Sequence, residues 1–397
     1  MSASSPVSHD YQAVVVGGGP AGLATAIALA TAGVKTALVA RRSPYADNRT
    51  TALLGGSVEF LQSLDIWRRC QNEAAALRVM RLVDDTRRLI RAPEVKFSSD
   101  EIGMDAFGYN IENRALLTAM EERAAELPHL TRIDDDAETV SARESCNEVR
   151  TQEGTFSAAI VVGADGRHSL CREAAGIGVK RRELNQSALT LNVAHTRPHN
   201  DISTEFHTEA GPCVFVPLPG NHSSVVWVLT SPEAARLKAL SDEALSEAVE
   251  RQCHSILGRM SVAPGRHVFP LAIEQPERLA AKRIALVGEA AHVLPPIGAQ
   301  GLNMGLRDAA DLADAVQKTL AHGEDPGSDA ALQRYERARR ADIFSRTFMV
   351  DMANRTLLND FLPLQSLRAA GMHLLASVGP LRKLAMREGL APSRRSR

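Results

Sequence analysis

The five cysteines, Cys70, Cys146, Cys171, Cys213 and Cys253, lie far apart and form no CxxC pair. Their spacing offers no disulfide framework and no zinc site, and it suits reduced thiols in the cytoplasm. No metal is expected. Neither sign of charge is in excess: 46 Lys and Arg face 47 Asp and Glu, a net charge of −1. Nucleic acid is therefore not an expected partner, since general binding needs a basic surplus. There is no repeat at a fixed period and no low-complexity stretch beyond short tails. Residues 1–10 hold no basic segment followed by an apolar one, so no secretory signal is expected. What is there is a globular composition. Apolar residues make up 44% and charged residues 23% of the 397, enough for two or three domains of ordinary size with a sizeable core.

Residues 13–34 carry no charge and are long enough to span a bilayer. Gly17, Gly18, Gly19, Pro20 and Gly22 would break such a span and instead mark a strand, a turn and a helix. Gly17 permits the tight turn, and Gly19 lets the backbone approach a pyrophosphate. Gly22 lets the helix carrying Leu23, Ile27 and Ala30 pack close to the sheet, and its start offers unpaired N–H groups to an anion. The same order recurs twice. Residues 159–162 run into Gly163-Ala164-Asp165-Gly166, with Ser169 and Arg172 behind. Residues 284–287 run into Gly288-Glu289-Ala290-Ala291-His292, then Pro295-Pro296 and Gln300-Gly301-Leu302-Asn303.

Leu302, Leu306, Ala309, Ala310, Ala313 and Val316 fall at helical spacing, which puts Gly301 and Asn303 at a helix start with its partial positive charge. Asp165 beside Gly166 reads as an Asx-type turn that Arg172 would hold by an ion pair. A lone His292 in such a loop reads first as a satisfied structural residue. One feature of a dinucleotide site is missing. Residues 36–42 read Thr-Ala-Leu-Val-Ala-Arg-Arg, so Ala40 stands where an acid normally grips the ribose. That weakens an NAD reading and leaves Asp47 and Arg49, in the next turn, as candidates for the task. No second GxGxxG is convincing.

The three runs together resemble the FAD-dependent aromatic monooxygenases, over nearly the whole chain from about Gln12 to Leu384. Within them the chain looks most like the ubiquinone-biosynthesis hydroxylases. That narrower likeness rests on Asp47-Asn48-Arg49-Thr50-Thr51-Ala52-Leu53, Asn113-Arg114-Ala115-Leu116-Leu117, Pro217-Leu218-Pro219, Val226-Trp227 and Tyr335-Glu336-Arg337-Ala338-Arg339-Arg340. The resemblance implies an α/β fold like that of p-hydroxybenzoate hydroxylase. A Rossmann-like FAD-binding domain (1–75, 105–182 and 265–345) would be interrupted by an antiparallel-sheet substrate domain (76–104 and 183–264). C-terminal helices and a basic tail follow (346–397). Apolar runs at 188–194, 214–216 and 223–230, punctuated by Pro212, Pro217, Pro219 and Gly220, read as strands of that sheet. The segment 77–98, with Val79, Leu82 and Ile90, reads as a source of further strands.

The cofactor contacts the resemblance implies are Gly17, Gly19, Gly22, Arg49, Asn113, Asp165, Gly166, Gly288, Glu289, Gly301, Leu302 and Asn303. Pro295, Pro296 and Gln300 form the flavin-facing loop, and no catalytic side chain is assigned. Family members usually carry Asp at Glu289, and Gly-Gln-Gly where this chain has Ala299-Gln300-Gly301. The implied chemistry is reduction of FAD by NADPH or NADH, entering the same cleft transiently. O₂ then gives a hydroperoxide at the flavin C4a, which hydroxylates an electron-rich phenol. A phenol of pKa ~10 is about 0.1% ionised at neutral pH, so its phenolate costs on the order of 4 kcal/mol. A closed, water-poor pocket under an apolar sheet face protects the oxidant.

The expected substrate is a prenylated phenol, with a ubiquinone-biosynthesis assembly as a candidate partner. Phe361, Leu362, Leu364, Leu367, Met372, Leu374, Leu375, Val378, Leu381 and Leu384 are dense, and residues 366–397 hold seven Lys or Arg (Arg368, Lys383 and Arg397 among them) against Glu388 alone. A basic amphipathic helix pair of that kind rests on an anionic membrane, which implies a cytoplasmic protein peripheral on the inner membrane. The plain alternative is that these helices cap the fold. Other readings are a hydroxylase of a soluble aromatic compound, a prenyl-lipid flavin reductase, and a catalytically idle flavoprotein subunit.

Overall fold

The computed structural model describes residues 10–42, 48–88, 91–358, 371, 373–374 and 377–389. The strands Tyr11–Val16, Thr36–Val39, Leu130–Ile133, Thr155–Gly163 and Ile284–Leu286 pair in parallel, ordered 284–155–11–36–130 by first residue. Ala280–Ala281 extends one edge, while Asn147–Arg150 and Thr139–Ala142 extend the Thr155–Gly163 strand antiparallel. Val14, Val15, Val161, Val162 and Ile284 are wholly buried, as a parallel sheet covered on both faces requires. The helix Pro20–Thr31 starts with its proline in the first turn, where no backbone donor is lost. It is buried throughout from Gly22 to Ala30. It lies between the sheet and the helices Asn113–Ala125 and Gln300–Ala321.

A second sheet runs Met260–Val262, Val179–His195, His222–Thr230, Gly211–Leu218, Ile202–Thr208, Val79–Asp84, Val95–Ser98, with His267–Pro276 added on Val179–His195. It therefore starts before residue 183 and continues past 264. The 77–98 segment supplies two of its strands, and Ile90 lies outside the described residues. The sheet is not uniformly antiparallel, because Val79–Asp84 joins Ile202–Thr208 in parallel. Two turn markers also fall elsewhere. Pro212 and Pro217 sit inside Gly211–Leu218, paired with His207 and Ser223. Each is one residue from a strand end, where the missing N–H is tolerated. Pro219 and Gly220 do form the turn.

Alternation gives this sheet two different faces. Leu189, Leu191, Val193, Phe206, Phe215 and Trp227 pack under the helices Ser231–Lys238 and Asp242–Gln252. On the opposite face Thr190, Val214, Val216 and Val226 are only half-buried. Asn192 and Ser224 share that face and touch the first unit: Asn192 Nδ2 donates to Asn48 O at 2.9 Å, and Asn110 Nδ2 donates to Ser224 Oγ at 3.1 Å and Pro217 O at 2.9 Å. Asn110 lies in a small antiparallel sheet of Thr50–Leu54, Gly108–Glu112 and Ala74–Ala76 that bridges the two units. The helix Asp329–Leu358 runs from the first unit to the second, where Asn354 Nδ2 donates to Gln186 Oε1 at 3.0 Å. The helix Gly379–Gly389 docks on residues 95–107. Arg382 pairs with Glu101 at 2.5 Å and covers the Phe97 ring at 4.7 Å, while Met386 is buried with Val95, Phe97 and Phe107. No described helix is long and apolar enough to cross a membrane.

Candidate cofactor site

The three glycine turns interlock. Gly17 has φ +116°, and a Cβ there would stand 2.2 Å from Ala164 O. A Cβ at Gly22 would stand 2.0 Å from Gly17 O and 3.0 Å from the Ala164 Cβ. Gly288, at φ +61°, would meet the Ala21 Cβ at 2.9 Å. These three glycines are therefore spent on bringing the turns together. Gly19, Gly166 and Gly301 are different, because a Cβ at any of them meets nothing within 4 Å.

Two helix starts face the junction without caps. Neither Pro20–Thr31 nor Gln300–Ala321 has a side-chain cap or an acid in its first turn. The leading N–H groups of each have no intrahelical partner and sit at the positive end of the helix dipole; in the first helix Pro20 has none to offer and Leu23 N already donates to Gly19 O at 2.9 Å. In the second helix these donors are the amides of Gln300, Gly301, Leu302 and Asn303. Gln300 is buried, and its Nε2 donates to Gly298 O at 2.9 Å, but its Oε1 accepts from no group among the described residues. A buried acceptor of that kind calls for a donor. The ribityl hydroxyls and the imide N–H of FAD are such donors, and open space at Gly19 and Gly301 suits the same group.

The flanking side chains mostly brace the loops. Asp165 Oδ1 accepts from Ser169 Oγ at 2.5 Å, and its Oδ2 accepts from the Cys171 N–H at 3.1 Å. Arg172 makes no ion pair with Asp165, as the sequence suggested it would. Its guanidinium donates to Ala290 O at 3.1 Å and Arg167 O at 2.8 Å, because Asp165 is already consumed by the start of the helix Leu170–Ala175. Arg172 thus ties the second turn to the third. Asn303 Oδ1 accepts from Leu54 N at 2.9 Å, while its Nδ2 donates to Ala52 O at 2.8 Å and Ala299 O at 2.6 Å. Its side chain clamps the strand Thr50–Leu54, which leaves its backbone amide as the group for a ligand. The same strand gathers Arg49 and Asn113: Asn113 N donates to Arg49 O at 2.9 Å, and Asn113 Oδ1 accepts from Thr51 Oγ1 at 2.6 Å. The Arg49 guanidinium lies 5.8 Å from the Phe269 ring centre. Glu289 is exposed, Pro295 buried, and Pro296 and Leu302 half-buried. Asp47 lies outside the described residues.

Sequence reasoning missed the group that holds the third turn. His292 is buried and paired, as expected of a structural residue, but its partner is Asp308, eight residues into the helix Gln300–Ala321. Asp308 Oδ2 lies 2.6 Å from His292 Nε2 and accepts from Gly288 N at 3.0 Å; its Oδ1 accepts from Arg339 Nε at 2.7 Å. Burial raises the Asp308 pKa, but the charges of His292 and Arg339 outweigh it and hold the carboxyl down to about 2. The available signal was an acid on the apolar face of a helix, between Leu306 and Ala309.

With this geometry in view, a sequence-family model described as an FAD binding domain matches residues 10–346. The chain belongs to that family. FAD is its cofactor, and its class is that of the flavin-dependent aromatic hydroxylases. Across 98% of its length the chain is 33% identical to ubiquinone hydroxylase UbiL of Rhodospirillum rubrum, of which it covers 92%. It is 29% identical to the 3-demethoxyubiquinol 3-hydroxylase of Escherichia coli, covering 95% of this chain and 97% of that protein. Among solved structures, p-nitrophenol 4-monooxygenase PnpA from Pseudomonas putida superimposes with a TM-score of 0.78 at 19% identity, covering 97% and 99% of the two chains. This FAD-binding family thus shares the two-sheet fold with C-terminal helices described above.

Proposed function

We propose that this protein hydroxylates the aromatic ring of a polyprenylated phenol in ubiquinone biosynthesis, with NAD(P)H and O₂ as co-substrates. The observation that carries the reading is the junction of three glycine turns and two uncapped helix starts, set against a half-buried apolar sheet face. The likeness to ubiquinone hydroxylases over almost the whole chain supports the substrate class. Bound FAD supplies the electron transfer from NAD(P)H and the activation of O₂. The protein's share is binding, orientation and exclusion of water. Amides of Gln300, Gly301, Leu302 and Asn303 present donors to the flavin ring, where they stabilise negative charge. Amides at the start of Pro20–Thr31 take the pyrophosphate, across the opening left by Gly19. In this reading Gly166 and Glu289 also contact the cofactor, and Arg49 and Asn113 supply polar groups beside the strand Thr50–Leu54. Val214, Val216 and Val226 offer an apolar wall for the ring.

The proposal extends to a peripheral membrane site and to association with other enzymes of the pathway. Leu374, Val378, Leu381 and Leu384 are exposed, next to Lys383 and Arg387. Apolar side chains flanked by cations suit an anionic lipid surface, where a prenylated substrate resides. The remaining residues of the apolar C-terminal stretch, Phe361, Leu362, Leu364, Leu367, Met372 and Leu375, lie outside the described residues.

The test joins a spectrum to a metabolite profile. A flavin spectrum from purified protein, with loss of ubiquinone and accumulation of a prenylated phenol lacking one hydroxyl in a deletion strain, supports the reading and names the carbon. Flavin with unchanged quinone transfers it to a soluble aromatic substrate or a reductase. Absence of flavin under FAD-replete conditions refutes it.

A further inference from the structure

The ribose position of this site lacks its usual acid. The second strand of the dinucleotide unit, Thr36–Val39, ends at Ala40, where a carboxylate normally receives the ribose hydroxyls. Ala40 is buried against the glycine turn: a Cβ at Gly18 would stand 2.9 Å from the Ala40 Cβ. The space beside Ala40 belongs to Arg132, from the neighbouring strand Leu130–Ile133. Its Nη2 lies 3.8 Å from that same point over Gly18. The guanidinium is fixed on its other sides. Nη1 donates to Ala40 O and, at 3.1 Å, to Ile133 O, while Glu121 receives Nη2 at 3.1 Å and Nε at 3.4 Å. The other acids of this corner are engaged. Asp134 accepts from Arg42 N, and Asp135 accepts from Arg41 and from the Asp136 and Glu153 amides.

Nη2 has two hydrogens, and Glu121 takes one. We propose that the other is given to a hydroxyl oxygen of the adenosine ribose of FAD, so that Arg132 replaces the missing acid with the polarity of the contact reversed. Glu121 is a positioning residue that holds the fork in place. This rests on the FAD reading above and assigns ribose recognition to a residue outside the glycine motif.

The test uses flavin-stripped protein, titrated by fluorescence with FAD, with FMN, and with FAD analogues lacking the 2′- or the 3′-hydroxyl of adenosine. Arg132→Lys keeps the charge and loses the fork; Glu121→Gln keeps the Arg132 side chain but removes the charge that holds its fork. The expected result is a roughly tenfold weaker FAD complex in Arg132→Lys with FMN affinity unchanged, in keeping with loss of one charged hydrogen bond. At least one deoxy analogue should bind the wild type more weakly than FAD does and bind Arg132→Lys as well as FAD does. Glu121→Gln should show a smaller loss of the same pattern. Equal weakening of FAD and FMN shows a merely structural arginine and overturns the proposal. So does a wild type indifferent to both missing hydroxyls, or a penalty that survives in the variant. Failure of the wild type to bind FAD at all removes the underlying reading instead, and the titration shows which has failed.

Discussion

Asp308 Oδ2 meets His292 Nε2 at 2.6 Å with both side chains out of reach of water, and the same oxygen receives the Gly288 amide at 3.0 Å. One carboxylate therefore holds both ends of the segment 288–292 to the helix that follows it, and Arg339 balances its charge from a second helix. Replacing Asp308 by Asn removes the nearest counter-charge of the buried Arg339, which keeps Asp342 at 2.8 Å and Asp311 at 3.1 Å, so the cost is about 1–3 kcal/mol, below that of a buried charge left alone. The pH dependence carries a sign. The folded carboxyl titrates at about 2, below the ordinary 3.8, so its contribution is complete above pH 4 and is lost as pH falls through 2. Urea unfolding from about pH 5 downward, below the range in which imidazoles titrate, should show the gap between wild type and Asp308→Asn narrowing as the pH falls through 2. A gap that widens with acid contradicts the assignment.

The glycines of the first turn separate packing from ligand approach. Gly22→Ala puts a methyl 2.0 Å from Gly17 O, a backbone atom that has no room to yield. The flavin-free protein should lose several degrees of melting temperature or fail to fold. Gly19→Ala meets nothing among the described residues, so the flavin-free melting temperature should stay within about a degree or two of wild type. Its FAD affinity should fall by roughly tenfold or more, since the methyl enters the path of the pyrophosphate. Equal melting losses for both variants would show that Gly19 serves packing as well.

Ala299 occupies the left-handed region at φ +53°, ψ 33°, directly before the helix Gln300–Ala321. A side chain there costs on the order of 1–2 kcal/mol, which glycine avoids. Ala299→Gly should raise stability by about 1 kcal/mol, less the extra freedom glycine gains in the unfolded chain, and this is measurable as a higher melting temperature. If the melting temperature falls instead, the loop is not strained at this residue.

How far the sequence reveals this site depends on where each constraint lies. Gly17, Gly22 and Gly288 are legible because a backbone approach leaves room for no other residue, and the strand before each turn shows as a β-branched run. Asn303, Arg172 and Arg132 are not legible in the same way. Their partners are Leu54 N, Ala290 O and Ala40 O, up to 249 residues away, and no local pattern marks a backbone group that will need a side-chain partner. Pro212 and Pro217 mislead for a related reason. A proline breaks a strand only where its missing N–H would have been paired, and that depends on register, which the pairing partners fix.

The C-terminal helix Gly379–Gly389 has two faces with different tasks. Arg382 and Met386, four residues apart, anchor it to Glu101 and to the apolar group of Val95, Phe97 and Phe107. Leu381 and Leu384 stay 36% and 58% exposed. If these leucines reach into lipid, each contributes about 1.5–3 kcal/mol on burial, so Leu381→Ser with Leu384→Ser should lower binding to anionic liposomes by roughly tenfold or more. The melting temperature should change by no more than about a degree or two, because Leu384 is mostly exposed and Leu381 only partly covered. Arg382→Ala should act in reverse order, loosening the helix from residues 95–107 and exposing it to protease before liposome binding is affected. Sedimentation at low and high salt divides the apolar share from the share of Lys383 and Arg387, since only the second is screened. A wild-type protein that stays in the supernatant with anionic vesicles at low salt removes the membrane from this account. The leucines would then be surface for a protein partner or for none.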